Sequence, residues 1–295
     1  MVACGEGYYS LLGSSLCTAC PTGYYCPYPS DSPIACDSGY YRQVQCTFCP
    51  AGYFCDDPEA VPQPCEVGYY SSGGASICLA CNPGYRCPEA SMSATPVGSE
   101  CPAGTYCNPA RTRTECPVGT YGNVTAATSE EEGCQPCTEG YYCTDTGTTL
   151  TTRKICPAGN YCPVGSSSPS ACAAGLYNSF TGSWSNNDCT DCPAGYYCTS
   201  GSSSGTSTVC PAGNYCPTKT PSATSYPCPA GTYSSSTGLV DQSLCLECTV
   251  GHFCPEGSTA PTACSVGTYQ PATSAVDISA CLACEPGWAC SSTGM

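Results

Sequence analysis

The chain has 295 residues, 34 of them cysteine, with 32 Gly and 28 Pro; 22 acidic against 7 basic side chains give a formal net charge of −15. So few Lys and Arg exclude nucleic acid, whose phosphates demand a basic footprint, and the acidic excess repels anionic membrane surfaces. With 4 Phe, 2 Trp and 3 Met, and no apolar run approaching the ~18 residues of a membrane helix, the chain lacks the stock for an ordinary core or a span.

Cysteine at this density marks a disulfide scaffold, which forms and persists in oxidising compartments. The even cysteine number suits complete pairing. The start, "MVACGEGYYS", shows no basic stretch followed by an apolar run, hence no signal peptide. A composition that calls for secretion without a visible leader reads as a processed or excerpted part of a longer protein.

Taken in chain order, the elements repeat. Residues 1–35 form a first repeat whose cysteines, labelled a to d in order, are Cys4, Cys17, Cys20 and Cys26. Repeat 2 (36–64) carries Cys36, Cys46, Cys49 and Cys55, and repeat 3 (65–100) carries Cys65, Cys78, Cys81 and Cys87. A half repeat holding c and d alone follows at 101–115, with Cys101 and Cys107. Repeat 4 (116–155) has Cys116, Cys134, Cys137 and Cys143, and the half repeat 156–171 has Cys156 and Cys162. Repeat 5 (172–209) has Cys172, Cys189, Cys192 and Cys198, and the half repeat 210–227 has Cys210 and Cys216. Repeat 6 (228–263) has Cys228, Cys245, Cys248 and Cys254, and repeat 7 (264–295) has Cys264, Cys281, Cys284 and Cys290. Every cysteine is used.

Two residues always separate b from c and five separate c from d, while the a–b gap runs from 9 to 17. The a and c cysteines open "C-x-x-G", as in "CPAGYYC" at 192–198, commonly with an aromatic behind the Gly. In "CPAG" the Pro suits the second position of a type I turn and the Gly its fourth. The following "YY" or "TY" favours a short strand. Each half repeat therefore reads as turn, short strand, loop: small disulfide-rich units of β-hairpins and turns with little or no helix.

Four cysteines allow three pairings within a repeat. The half repeats favour a with b and c with d, from Cys4–Cys17 and Cys20–Cys26 through Cys116–Cys134 and Cys137–Cys143 to Cys284–Cys290, because an inserted c–d pair is then self-contained. The alternative, b with c and d with the following cysteine, stays open at this point. Loop closure supplies about 2 kcal/mol for a c–d loop and about 3 for an a–b loop, which a unit of some thirty residues needs in order to fold.

The C-x-x-C pairs have the spacing of zinc knuckles, but structural zinc sites often mix His with Cys. The single histidine, His252, takes the aromatic slot of "TVGHFC". No βαβ pattern surrounds any C-x-x-C, which argues against thioredoxin-like redox chemistry. One histidine gives no triad, so no catalytic residue, metal ligand or cofactor is expected. The acidic loops Asp56, Asp57, Glu59 and Glu130, Glu131, Glu132 lack EF-hand spacing and read as solvated charge. Tyrosines such as Tyr8, Tyr24, Tyr69, Tyr141 and Tyr196 are expected to cover disulfides and the joints between repeats. "NVT" at 123–125 is an N-glycosylation sequon at Asn123, and the loops 163–171, 199–209 and 217–227 have the Ser/Thr/Pro content of O-glycosylated stalks.

The alternation of "C-x-x-G-x-Y" with "C-x-x-C-P-x-G-Y-Y-C" resembles the ephrin-receptor-like cysteine-rich repeats over essentially the whole chain. The a–b half is distantly similar to tumour-necrosis-factor-receptor and growth-factor-receptor modules, although the C-x-x-C-x-x-C of the former is missing. The resemblance implies an extracellular or cell-surface array and no particular ligand. Contacts between neighbours alone would make a rod or solenoid. The expected role is a spacer, or the repeated subunit of a coat, appendage or filament, with a receptor or adhesin ectodomain as runner-up and a cysteine-rich metal store as a third class. Its expected partners are its own copies or other extracellular proteins. The segments 89–100 and 122–133 are where a distinctive patch is sought.

Overall fold

Within each C-x-x-G segment the chain reverses over four residues. In the computed structural model, which describes residues 2–42, 46–107 and 113–295, the N–H after the glycine bonds back to the residue that follows the cysteine. Tyr24 N donates to Pro21 O at 3.2 Å, Tyr53 N to Pro50 O at 3.1 Å and Asn160 N to Pro157 O at 3.2 Å. Pro is thus the first residue of the turn and Gly its third, with φ of 77° at Gly23, 87° at Gly52 and 82° at Gly159. A positive φ at the third position is the requirement of a type II turn. This corrects the expected type I turn by one residue. The cysteine ends the incoming strand and stands outside the turn.

The strands beside each turn are two or three residues long and pair antiparallel, as in Tyr24↔Ala35 with Tyr25↔Ile34, and Asn160↔Ala171 with Tyr161↔Ser170. Among the described residues they make thirteen two-stranded sheets. Three single antiparallel bridges, Tyr85↔Glu100, Tyr196↔Val209 and Asn214↔Pro227, take the same place in other turns. Hairpins this short are not stable alone.

Successive turns brace one another through a recurring set of backbone bonds. The glycine carbonyl of one turn accepts from the next turn's cysteine (Cys172 N to Gly159 O, 2.9 Å), and its N–H donates three residues past the next turn's glycine (Gly159 N to Asn178 O, 2.7 Å). Two more bonds join the turn to the following loop, Gly182 N to Cys156 O at 2.8 Å and Cys162 N to Ser183 O at 2.9 Å. The same four occur around Cys49 and Gly52: Cys65 N to Gly52 O, Gly52 N to Ser71 O, Gly74 N to Cys49 O and Cys55 N to Ala75 O, each 2.8 Å.

The loop residue that bonds the turn cysteine is left-handed, φ 64° at Gly74 and 76° at Gly182. Ala90, Ala126, Lys219 and Ser274 occupy the equivalent place with φ of 58°, 58°, 67° and 62°. Their N–H groups bond Cys65, Cys101, Cys192 and Cys248 carbonyls at 2.8–2.9 Å, which holds them there. A side chain in this region costs roughly 1–2 kcal/mol, offset in part by the greater chain entropy of glycine. Ala90→Gly and Ala126→Gly should therefore each stabilise the fold by about 0.5–1 kcal/mol, read as a raised urea midpoint under non-reducing conditions.

The core is mostly cystine. Cys49, Cys65, Cys101, Cys116, Cys156, Cys172, Cys210 and Cys264 are among the fully buried residues, and besides cysteine the buried apolar side chains among the described residues are Tyr121, Ala127, Leu239 and Ala275. Apart from Tyr121 the tyrosines add little to it: Tyr8 and Tyr24 are exposed, and Tyr69, Tyr141 and Tyr196 are half-buried. Among the described residues helix is confined to single turns at Glu130–Gly133, Asn186–Asp188, Gln242–Leu244 and Ile278–Ala280. Each directly precedes a b cysteine, and Ser129, Ser185, Asp241 and Asp277 cap their N-termini. The chain divides into two compact bodies, Met1–Pro136 with Cys143–Arg153, and Cys137–Tyr142 with Lys154–Met295, so the division falls inside repeat 4. The recurring bonds described above occur inside each body.

Candidate functional site

The side chains with the greatest chemical potential are the cysteines, and the structure oxidises them. In the first body a pairs with b and c with d in turn: Cys4–Cys17, Cys20–Cys26, Cys36–Cys46, Cys49–Cys55, Cys65–Cys78, Cys81–Cys87 and Cys101–Cys107. Cys116–Cys134 follows in the same body. In the second body the bridges are Cys156–Cys162, Cys172–Cys189, Cys192–Cys198, Cys210–Cys216, Cys228–Cys245, Cys248–Cys254, Cys264–Cys281 and Cys284–Cys290. Cys137 and Cys143 are disulfide-bonded too, and there is no free thiol among the described residues. The Cα–Cα separations, from 5.5 Å at Cys116–Cys134 to 6.3 Å at Cys81–Cys87, lie in the usual range for a disulfide. A cysteine held this way is neither a nucleophile nor a metal ligand.

The histidine and the acidic loops bond locally or lie exposed. His252 Nδ1 lies 2.9 Å from Val250 O and 3.3 Å from Thr249 Oγ1, inside its own turn. Asp56, Asp57 and Glu59 are exposed. Asp57 Oδ1 accepts from Glu59 N at 2.8 Å, and Asp56 Oδ1 accepts from Asp57 N at 3.0 Å. Glu130, Glu131 and Glu132 form the exposed first turn of the short helix. Among the described residues no three His, Cys, Asp or Glu side chains converge as a metal site, and no helix is long and apolar enough to cross a membrane. Asn123 is exposed, as a sugar-bearing asparagine has to be.

Three carboxyls are held below their ordinary range by hydrogen bonds: Glu132 by the Thr128 hydroxyl and N–H, Asp241 by the Ser243 N–H and hydroxyl, and Asp277 by the Ser279 hydroxyl and N–H. The bonds from Thr128 Oγ1 to Glu132 Oε2 (2.7 Å), Ser243 N to Asp241 Oδ1 (2.9 Å) and Ser279 N to Asp277 Oδ1 (2.8 Å) are the cause. A carboxyl whose folded pKa is depressed contributes stability above its unfolded pKa and loses it as pH falls through the folded value. The single turns before Cys134, Cys245 and Cys281 should therefore loosen on acidification below the ordinary carboxylate range, seen as a lowered amide-exchange protection factor at Ser243 and Ser279. Asp277→Asn should flatten that dependence at its own turn, because Asn caps without titrating.

One position with a structural task was not marked by the sequence reading. Three residues past each turn glycine a c–d turn has its d cysteine; in four of the seven a–b turns a buried polar residue, Ser71, Asn178, Ser234 or Gln270, stands there. Asn178, 1% exposed, donates from Nδ2 to Asn160 O at 3.0 Å and accepts at Oδ1 from Phe180 N at 3.0 Å. Ser71, Ser234 and Gln270 accept from the N–H two residues on in the same way. The signal was available in "CEVGYYS", "CAAGLYN", "CPAGTYS" and "CSVGTYQ" set beside "CPAGTYC". Asn178→Ala removes both bonds of a buried side chain and takes a partner from two backbone groups, and should cost about 2 kcal/mol, measured as a lowered urea midpoint.

The fold and its chemistry define a disulfide-rich protein of small repeated β-hairpin units. Compared with known proteins, the chain matches no family model and no curated sequence.

Proposed function

We propose that this chain is a non-catalytic extracellular structural protein, a cystine-stapled rod that serves as a spacer or as the repeated subunit of a surface coat, appendage or filament. The observation that carries this reading is sameness: turn after turn repeats one set of backbone bonds around a buried cystine. The resemblance to ephrin-receptor-like repeats supports an extracellular array, and exposed Asn123 with the Ser/Thr/Pro loops supports a glycan cover. The test is intact mass of natively isolated protein under non-reducing conditions, with thiol alkylation and then deglycosylation. No alkylated thiol and a released sugar mass are expected; many free thiols with bound metal would overturn the reading. Negative-stain images of compact particles that never associate would sink the filament version.

A second reading, a receptor or adhesin ectodomain, is favoured by one loop. Phe180 and Trp184 are 73% and 53% exposed there. The loop is fixed by Asn178 and by Asp188 Oδ2, which accepts from the N–H groups of Trp184 and Ser185 at 3.0 Å each. The segment 89–100 exposes Met92 and Val97 in similar fashion. Cell or partner binding that survives replacement of Phe180, Trp184, Met92 and Val97 by serine would dismiss this reading.

A further inference from the structure

We propose that Tyr215 and Tyr226 are a site of oxidative cross-linking, joined as a dityrosine by a peroxide-consuming one-electron oxidant. The two face each other across the hairpin of the half repeat 210–227, where Tyr215 N donates to Tyr226 O at 2.9 Å. Their ring centroids are 5.7 Å apart with the planes tilted by 36°. Tyr226 is 38% exposed, so a small oxidant or an enzyme-generated radical reaches it. Tyr215 is half-buried and its hydroxyl lies 3.4 Å from Gln242 Oε1, which keeps its ring in place over its partner.

The pairing departs from the pattern of the other turns. The second residue after a turn glycine is commonly tyrosine, and in the paired strands of the described residues its partner across the hairpin is not aromatic: Tyr121 faces Gln135, Tyr142 faces Lys154, Tyr161 faces Ser170, Tyr177 faces Thr190, Tyr233 faces Leu246 and Tyr269 faces Leu282. At this one the facing residue is a second phenol. The loop between them, "PTKTPSATS" at 217–225, is closed by no cystine, since Cys216 pairs with Cys210 and Cys228 with Cys245. No free thiol among the described residues competes for the radical.

The chemistry balances. Each phenol loses one electron and its phenolic proton, giving two phenoxyl radicals. These couple through a C–C bond between ring carbons ortho to the hydroxyls. Each ortho hydrogen then leaves as a proton while a proton returns to each oxygen, restoring both phenols. One hydrogen peroxide accepts the two electrons and two protons and leaves as two waters. The product is lighter than the two tyrosines by two hydrogens. The proposal holds for a spacer and for an ectodomain alike.

The sequence provides a direct readout. Lys219 lies between the two tyrosines, and the neighbouring basic residues toward the N-terminus are Arg153 and Lys154, with none after Lys219. Trypsin acting on reduced, alkylated chain therefore yields peptides 155–219 and 220–295, one with each tyrosine. Folded protein at high dilution is treated with a plant-type peroxidase and hydrogen peroxide, then reduced, alkylated and digested. The two peptides should stay joined, with dityrosine fluorescence and a mass two hydrogens below their sum; Tyr226→Phe and Tyr215→Phe should each release them. Separate peptides from the unsubstituted protein would overturn the proposal, whether dityrosine forms elsewhere, forms only between copies, or does not form. That result would leave the structural reading intact, since it depends on the cystines.

Discussion

Reduction of the cystines at neutral pH, without denaturant, is expected to unfold both bodies completely. In an ordinary domain a disulfide adds to a core that already exists. Here, among the described residues, Tyr121, Ala127, Leu239 and Ala275 are the apolar residues buried besides cysteine, and burying a side chain of this kind contributes at most a few kcal/mol. Against this stands a conformational entropy cost of about 1–2 kcal/mol for every residue ordered. Each c–d bridge removes about 2 kcal/mol of chain entropy from the unfolded state and each a–b bridge about 3. Hairpins of two-residue strands cannot stand in for them. The expected result is loss of amide-exchange protection throughout residues 46–107 and 113–295, together with proteolysis at Lys154 and Lys219, at reductant levels that leave an ordinary globular domain folded. Retained protection after every thiol has been alkylated would show that the backbone bonds between turns suffice, and would refute the cystine-core account.

The unevenness of what could be read in advance has a physical origin. Cysteine spacing is rigid where geometry is rigid: the five residues between Cys156 and Cys162 hold one turn and one strand, so the short-hairpin architecture was legible. The half repeats pointed to the a–b and c–d arrangement because an inserted pair such as Cys210 and Cys216 has to be self-sufficient. The turn came out one residue away because "CPAG" satisfies the residue preferences of both frames. Which frame wins depends on the N–H of Cys172 binding the carbonyl of Gly159, a contact between turns that no local preference contains. Ala90 and Lys219 were illegible for the same reason. Neither favours a left-handed conformation, and both are held in it by a carbonyl from another turn. Asn178 was readable in principle, since it stands where aligned turns have cysteine. What hides it is that asparagine in a polar loop ordinarily signals solvent. The single helical turns before Cys189, Cys245 and Cys281 are too short to show periodicity; only the Ser185, Asp241 and Asp277 caps announce them.

Gly159→Ala is expected to cost about 2–5 kcal/mol, whereas Gly165→Ala, six residues away, should cost about 1–2. Both glycines are left-handed, with φ of 82° and 79°, so both substitutions carry the strain of a side chain in that region. They differ in what the new methyl meets. At Gly165 there is nothing within 4 Å. At Gly159 the methyl would stand 2.1 Å from Gly201 O and 2.8 Å from its carbon, both backbone atoms. Gly201 cannot yield easily, because its N–H bonds Cys172 O at 3.0 Å. Nor can Gly159 retreat, since it is bonded through its N–H to Asn178 and through its carbonyl to Cys172. The strain should appear in three successive turns, those opened by Cys156, Cys172 and Cys192, as raised amide exchange with the disulfides still formed. The turn opened by Cys264 should be untouched. Equal costs for the two substitutions would mean that the close approach of turns is incidental and that only local turn conformation selects glycine. A larger cost at Gly159, spread over three turns, would mean that the glycines are what lets one turn lie against the loop two turns on, and so what ties weak hairpins together within the second body.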